Sequence, residues 1–239
     1  MKYNPILFST AMVQAILDGR KTMTRRELKM QITETWMDDF VPTPVKEQHI
    51  DGVPRWEYRS GTKYILPIFR CPYGQPGDVL WVRESFISGC EMEDGYFKHD
   101  EHGNTITKTW YKADGDLNQW YTGDSDFPVE NIPWKPSIHM PKSACRIFLE
   151  VASVRVERLQ DISIDDAVKE GIEPITHPPY NDVKKWGWRF KDYIGNSVCL
   201  PVASFQTLWQ SINGPASWDA NPWVWVVEFK RIDKPENFN

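Results

Sequence analysis

The chain has 239 residues, of which 41% are hydrophobic and 26% charged, and it carries a formal net charge of -5. That length buries a proper core as one large domain or two small ones, and the acidic balance argues against a protein that coats duplex DNA, which needs many phosphate contacts from a broadly basic surface. Twelve Trp are far above ordinary usage, so flat aromatic surface is in demand, mostly for packing, with one or two rings as candidates to stack on a base.

Pro5 to Phe8 reads as a short opening strand, after which Ser9 or Thr10 can cap a helix whose apolar positions Met12, Ala15 and Ile16 share a face. Gly19 stops it. The following Arg20-Lys21-Thr22-Met23-Thr24-Arg25-Arg26 reads as a cationic loop suited to forming a site. From about 28 to 75 the pattern loses its period and carries Pro42, Pro44, Pro54 and Pro67, so an insertion holding one hairpin is expected. Pro76-Gly77-Asp78 is a turn signal, and the strand Val79 to Glu84 delivers Glu84 to its end.

A second irregular stretch begins at Ser88, and its Tyr96, Trp110, Tyr111, Trp120, Tyr121 and Trp134 suggest an ordered cover of short strands. Arg146 to Leu159 then alternates through Ile147, Leu149 and Val151, skips to Val154 and Val156, and so predicts a long strand bent at Ala152-Ser153. Ser163-Ile164-Asp165-Asp166 is a capping box, with Ile162 and Ala167 as its hydrophobic staple, for a helix from Ile164 to about Glu170 that stops at Gly171. Phe205, Leu208, Trp209 and Ile212 define an amphipathic helix ending at Asn213-Gly214-Pro215, and Trp223 to Ile232 is a closing strand. Strands interleaved with short helices and long loops give an α+β domain centred on a small, partly closed barrel.

Cys71, Cys90, Cys145 and Cys199 are scattered, with no CxxC pair and no His at finger spacing, so neither a zinc site nor a disulfide framework is suggested and no cofactor is expected. No apolar run approaches a membrane span and no signal peptide is seen, so a cytoplasmic protein is expected.

The segment Ala15 to Arg26, in which a helix ends at Gly19 and Lys21, Thr24 and Arg26 follow, resembles the GxKxxTxR-like signature of ASCH domains. Gly77 to Val82 is similar to that family's next strand, Asp166 to Ile172 to its short acidic helix, and Trp223 to Lys230 to its last strand. The four blocks run in the family's order along one domain, residues 1–239, with insertions at about 28–75 and 88–140. The wider layout, including Cys71-Pro72-Tyr73-Gly74 and Trp134 to Pro141, is similar to ASCH-type proteins of tailed phages and prophages. The resemblance implies a PUA-like β-barrel that handles a nucleobase, a nucleoside or RNA. Some small bacterial members remove the acyl group from N4-acetylcytidine with a Lys, a Thr three residues later and a distant Glu; the matching positions here are Lys21, Thr24 and Glu170.

An amide hydrolase without metal needs a nucleophile, a base and donors for the oxyanion. Thr24 suits the first role. Lys21 suits the second if burial and the neighbouring Arg20, Arg25 and Arg26 pull its pKa down. Glu170 can position the exocyclic nitrogen or carry a proton to the leaving amine, and its place at a helix C-terminus, against the dipole, hints at a purpose beyond the helix. Arg26 can hold an oxyanion or phosphate. Glu84, read as an ion pair with Arg83 at the barrel rim, is a reserve acid-base group, and His139 is a candidate base for RNA cleavage. Three functions stand: an amidohydrolase acting on N4-acylated cytosine nucleosides, a non-catalytic module binding RNA or a modified base, and a ribonuclease.

Overall fold

The computed structural model describes residues 1–29, 41–43, 57–59, 70–93, 96–115, 132–172, 190–191, 197–198 and 201–238. It is a mixed α+β fold, mostly sheet in its core and sparing in helix. In chain order, β1 is Tyr3–Leu7, α1 Thr10–Leu17, β2 Met23–Glu27, β3 Val41–Thr43, β4 Glu57–Arg59, β5 Val79–Arg83 and β6 Phe86–Cys90. Then come β7 Met92–Glu93, β8 Tyr96–Phe97, β9 Thr107–Tyr111, β10 Phe148–Arg158, α2 Ile164–Lys169, β11 Phe190–Lys191, β12 Ser197–Val198, α3 Pro201–Asn213 and β13 Trp223–Ile232.

Five strands from both ends of the chain make the central sheet in the order β1-β5-β10-β13-β2, with β1 parallel to β5 and the other pairs antiparallel. The two irregular stretches lie between its strands. Their described parts hold the pair β3–β4 in the first and the pairs β6–β9 and β7–β8 in the second, as the expected hairpin and short strands. Trp120, Tyr121 and Cys199 lie outside the described residues.

β13 explains the layering. Its residues Trp225, Val227 and Phe229 point into one cluster with Ile6, Phe8, Val13, Ile16, Leu80 and Leu149, while Val224 and Val226 point into another with Met23, Leu159, Ala167, Phe205 and Trp209. A strand buried on both faces is apolar at every position rather than at alternate ones, as Trp-Val-Trp-Val-Val is. α1 covers the first face; α2 and α3 cover the second. A third cluster forms where Phe238 sets its ring edge-on against Tyr3 and Phe148, with centroids 5.2 and 4.7 Å away.

β10 carries the bend its sequence announces. The register with β13 shifts between Val151 and Ser153, so Ile147, Leu149 and Val151 before the bulge and Val154 and Val156 after it all pack on the same cluster. One extra residue inverts the parity of a strand with period two.

Ser9 caps α1 by accepting from the Met12 amide, and Gly19, at φ 75°, turns the chain so that the amides of Arg20 and Lys21 both bond the Ala15 carbonyl. Ser163 caps α2 by accepting from the Asp166 amide at 3.1 Å, and Ile162 and Ala167 are both buried. Asp166 reaches Arg25 and Arg155 with its carboxylate. Ser163→Ala is expected to lower stability by about 1 kcal/mol, measured as a shift in urea midpoint at constant m.

Two sequence expectations need correction. The cationic segment after Gly19 is not a loop throughout: Met23–Glu27 is an edge strand paired with β13, because β13 offers a second apolar ladder that no local pattern in Met23-Thr24-Arg25-Arg26-Glu27 reveals. On α3, Phe205 and Trp209 are buried but Ile212 is 53% exposed; the helix outlasts the core beneath it.

Candidate functional site

β2 carries polar residues on both faces. Met23 and Arg25 turn toward the α2–α3 side, where the Arg25 guanidinium lies 5.8 Å from the Phe205 ring centroid. By the alternation of the strand, Thr24 and Arg26 share the opposite face, where Arg26 lies 5.3 Å from the ring of Phe8. Lys21, two residues before β2 begins and locked to the end of α1, brings its Nζ to 5.7 Å from the same ring.

The segment around Lys21 is laced to the end of α2. Lys21 and Glu170 form a β-bridge, the Thr22 amide bonds the Lys169 carbonyl at 2.9 Å, and Arg20 Nη1 donates to the Gly171 carbonyl at 2.8 Å. Within this seam Lys21 Nζ donates to the Met23 carbonyl at 2.8 Å, the Glu170 carbonyl at 2.9 Å and Glu170 Oε2 at 2.8 Å. All three ammonium protons are thereby assigned. The Lys21 side chain has no exposed surface and that of Glu170 3%.

The other Glu170 oxygen, Oε1, accepts from Arg25 Nη1 at 3.2 Å. Arg25 also donates to Glu157 and, at 2.9 Å, to Asp166, and Arg155 bridges the same two carboxylates from the solvent side. Glu170 is therefore not stranded against the helix dipole; two cations hold it at the α2 C-terminus.

The electrostatics follow the burial. Desolvation pulls the Lys21 ammonium below its usual range, opposed by the Glu170 carboxylate and assisted by Arg26 and Arg25. Burial also pulls on Arg25, but Glu170 and Glu157 outweigh it and hold the guanidinium above its usual value. Burial lowers Arg26, whose Nη2 donates to the Leu7 carbonyl while its Nε is buried without a protein partner. That bond spans β1 and β2, the two edges of the sheet, which no backbone ladder joins among the described residues. Near Arg26, burial raises the Tyr73 hydroxyl and pushes the Cys71 thiol to about 12.

The structure thus brings Lys21 and Glu170 into direct contact and places Thr24, 2% exposed, three residues along on the Phe8 face with Arg26. The three Lys21 donors go elsewhere than to the Thr24 hydroxyl. Arg20 is tied to Asp18 and Gly171, and Arg25 is enclosed by carboxylates.

Glu84 and His139 belong to a different neighbourhood. Glu84 is 1% exposed and takes both oxygens to Arg146, at 2.9 and 3.0 Å, which also pairs with Asp114 and covers the Tyr111 ring. The expected pair with Arg83 is corrected: alternation sends Arg83 to the other face of β5, onto the Ile138 and Met140 carbonyls. Burial still raises the Glu84 carboxyl against the pull of Arg146. His139 is exposed in a short turn, Ser137–His139.

Sequence reasoning missed Glu157, Arg155 and Asp166 as members of the ion-pair chain. One signal was present: Asp166 on α2 and Glu170 at its C-cap stand four apart, a repulsive spacing unless a cation lies between them. Trp209 and Trp225 are core residues, while Trp81, Trp110, Trp134, Trp218 and Trp223 are half-buried. Among the described residues no group of three or more His, Cys, Asp or Glu side chains is arranged to hold a metal ion, and no helix is long and apolar enough to cross a membrane.

The class defined by these observations is an α+β protein with a two-faced five-stranded sheet and a buried Lys-Glu-Arg cluster where β2 meets α2. No protein family, curated protein or solved structure matches this chain.

Proposed function

We propose that the chain is an ASCH-type protein with a PUA-like barrel, and that it is an amidohydrolase removing acyl groups from N4-acylated cytosine nucleosides. The observation that carries this reading is the Lys21–Glu170 contact: residues 149 apart in sequence, assigned to one catalytic set by motif resemblance alone, share a buried hydrogen bond. In this reading Thr24 Oγ1 attacks the acyl carbon, Lys21 takes its proton, and Glu170 guides the exocyclic nitrogen and its protonation as the amide breaks. Water then hydrolyses the acyl-threonine. Lys21 acts as a base in its free-amine form, and the proton it takes from Thr24 passes to the leaving amine, with the Glu170 carboxylate, 2.8 Å from Nζ, guiding the transfer.

A second reading has its own support. The ammonium protons of Lys21 are all engaged and none points to Thr24, as in a cluster that only shapes a cleft for RNA or a modified base. The ribonuclease reading has no comparable support, since His139 and Glu84 are in a separate neighbourhood.

Incubation of the protein with N4-acetylcytidine and a panel of acylated cytosine bases and nucleosides, followed by chromatography of the released cytidine or cytosine, separates the two. Turnover above a buffer blank is expected. No turnover on any member of the panel leaves the binding reading in place, to be tested by titration with RNA and modified nucleosides.

A further inference from the structure

We propose that Arg25 is a positioning residue: its guanidinium holds Glu170 Oε1 and remains the counter-charge of that buried carboxylate when Lys21 acts as a free amine. The role as a step in catalysis rests on the amidohydrolase reading; the effect on Lys21 does not.

Glu170 presents Oε2 to Lys21 at 2.8 Å and Oε1 to Arg25 at 3.2 Å. If Lys21 were its one counter-charge, releasing the Lys21 proton would leave an unpaired carboxylate out of water, and such a site holds its proton tightly. Arg25 removes that obstacle because a guanidinium never deprotonates in this range. Its hold on Glu170 is fixed in turn. Asp166 and Glu157 clamp the same guanidinium, and Arg155 ties those two together from a side chain 36% exposed. The chain of alternating charges runs from solvent at Arg155 to a fully buried end at Lys21.

The charged groups around Lys21 come from each neighbouring element: Asp18 and Arg20, paired with each other, from the end of α1, Arg25 and Arg26 from β2, Glu170, Asp166 and Lys169 from the α2 region, Arg155 and Glu157 from β10, and Glu228 from β13 paired with Lys169. Removing a cation from this set makes proton binding at Lys21 more favourable. The sign is therefore upward.

The test is titration of Lys21 by NMR, with lysine labelled at Cε and Nζ and the Lys21 signal identified by its loss in Lys21→Arg. Native protein, Arg25→Lys, Arg25→Gln and Arg155→Gln are compared, and kcat and KM are followed over the same pH range on any acylated cytidine that is turned over. The expected result is a rise in the Lys21 midpoint of about one to three pH units in Arg25→Gln, a smaller rise in Arg155→Gln, and a midpoint nearer native in Arg25→Lys, with the limb of the kcat profile moving alongside. An unchanged or lowered midpoint in a folded Arg25→Gln overturns the proposal. Should Arg25→Gln fail to fold, the surface variant Arg155→Gln decides by the same sign. Absence of turnover with the Lys21 shift present refutes the amidohydrolase and leaves the role of Arg25 standing.

Discussion

Lys21→Met is expected to destabilise the fold by about 3–5 kcal/mol, the cost of breaking a buried ion pair by removing one partner. The loss is not of attraction alone. Met is close to Lys in length, so the aliphatic stem is largely replaced. Removing Nζ, however, leaves the Met23 carbonyl, the Glu170 carbonyl and Glu170 Oε2 without their donor, and the carboxylate with Arg25 as its remaining counter-charge. Glu170→Gln in the same background removes the buried charge that has lost one of its two cations while keeping an oxygen for Arg25. The double variant Lys21→Met/Glu170→Gln should therefore be less destabilised than the sum of the singles, by about 0.5–3 kcal/mol of coupling. Guanidinium unfolding of the four proteins measures it. A loss under about 1 kcal/mol in Lys21→Met would contradict a buried, fully bonded ammonium.

Gly171→Ala should cost about 2–4 kcal/mol, combining backbone strain with overpacking. Gly171 has φ +88°, and a Cβ built there lies 2.7 Å from Lys21 Cβ and 3.0 Å from Ala15 Cβ. These neighbours are the roots of side chains, one on the end of α1 and one at the site, so neither can swing away. Gly19 supplies the control: its φ is +75° but a Cβ there meets nothing within 4 Å, so Gly19→Ala should cost about 1–2 kcal/mol from the backbone alone. Thermal or chemical unfolding of both variants compares them directly. Equal costs would show that the close approach of the α2 end to Lys21 is absent. Gly171 is thus more than a helix stop; it lets the chain that carries Glu170 come within bonding distance of Lys21.

What the sequence disclosed, and what it hid, divides along a physical line. β10 was legible to the bulge because one extra residue between Val151 and Val154 has a single remedy in a strand of period two. α1, α2 and β13 were legible because caps, glycine stops and apolar runs are local. β2 was not. Its polar residues look like loop until β13 is known to lie beside it, and its buried Arg25 has partners at Glu157, Asp166 and Glu170, all more than 130 residues away. A charge buried by distant carboxylates has no local signature, and so a segment read as a cationic loop is a strand whose Arg25 is enclosed by ion pairs. Glu84 repeats the lesson: the neighbour in sequence, Arg83, was the wrong partner because adjacent strand residues face opposite ways, and Arg146 was the right one. The pairing of Lys21 with Glu170 came from motif resemblance, and no spacing rule would have supplied it.

Variants of Lys21 or Glu170 confound any chemistry at this enclosed cluster with folding. Thr24 does not, since its hydroxyl holds no part of the ion-pair chain. The deciding measurement is release of cytidine from N4-acetylcytidine by the native protein beside Thr24→Val, with matched unfolding curves. Turnover by the native protein is expected, with a loss of at least about a hundredfold in a variant of near-native stability. Turnover retained in Thr24→Val, or absent from both, would contradict it.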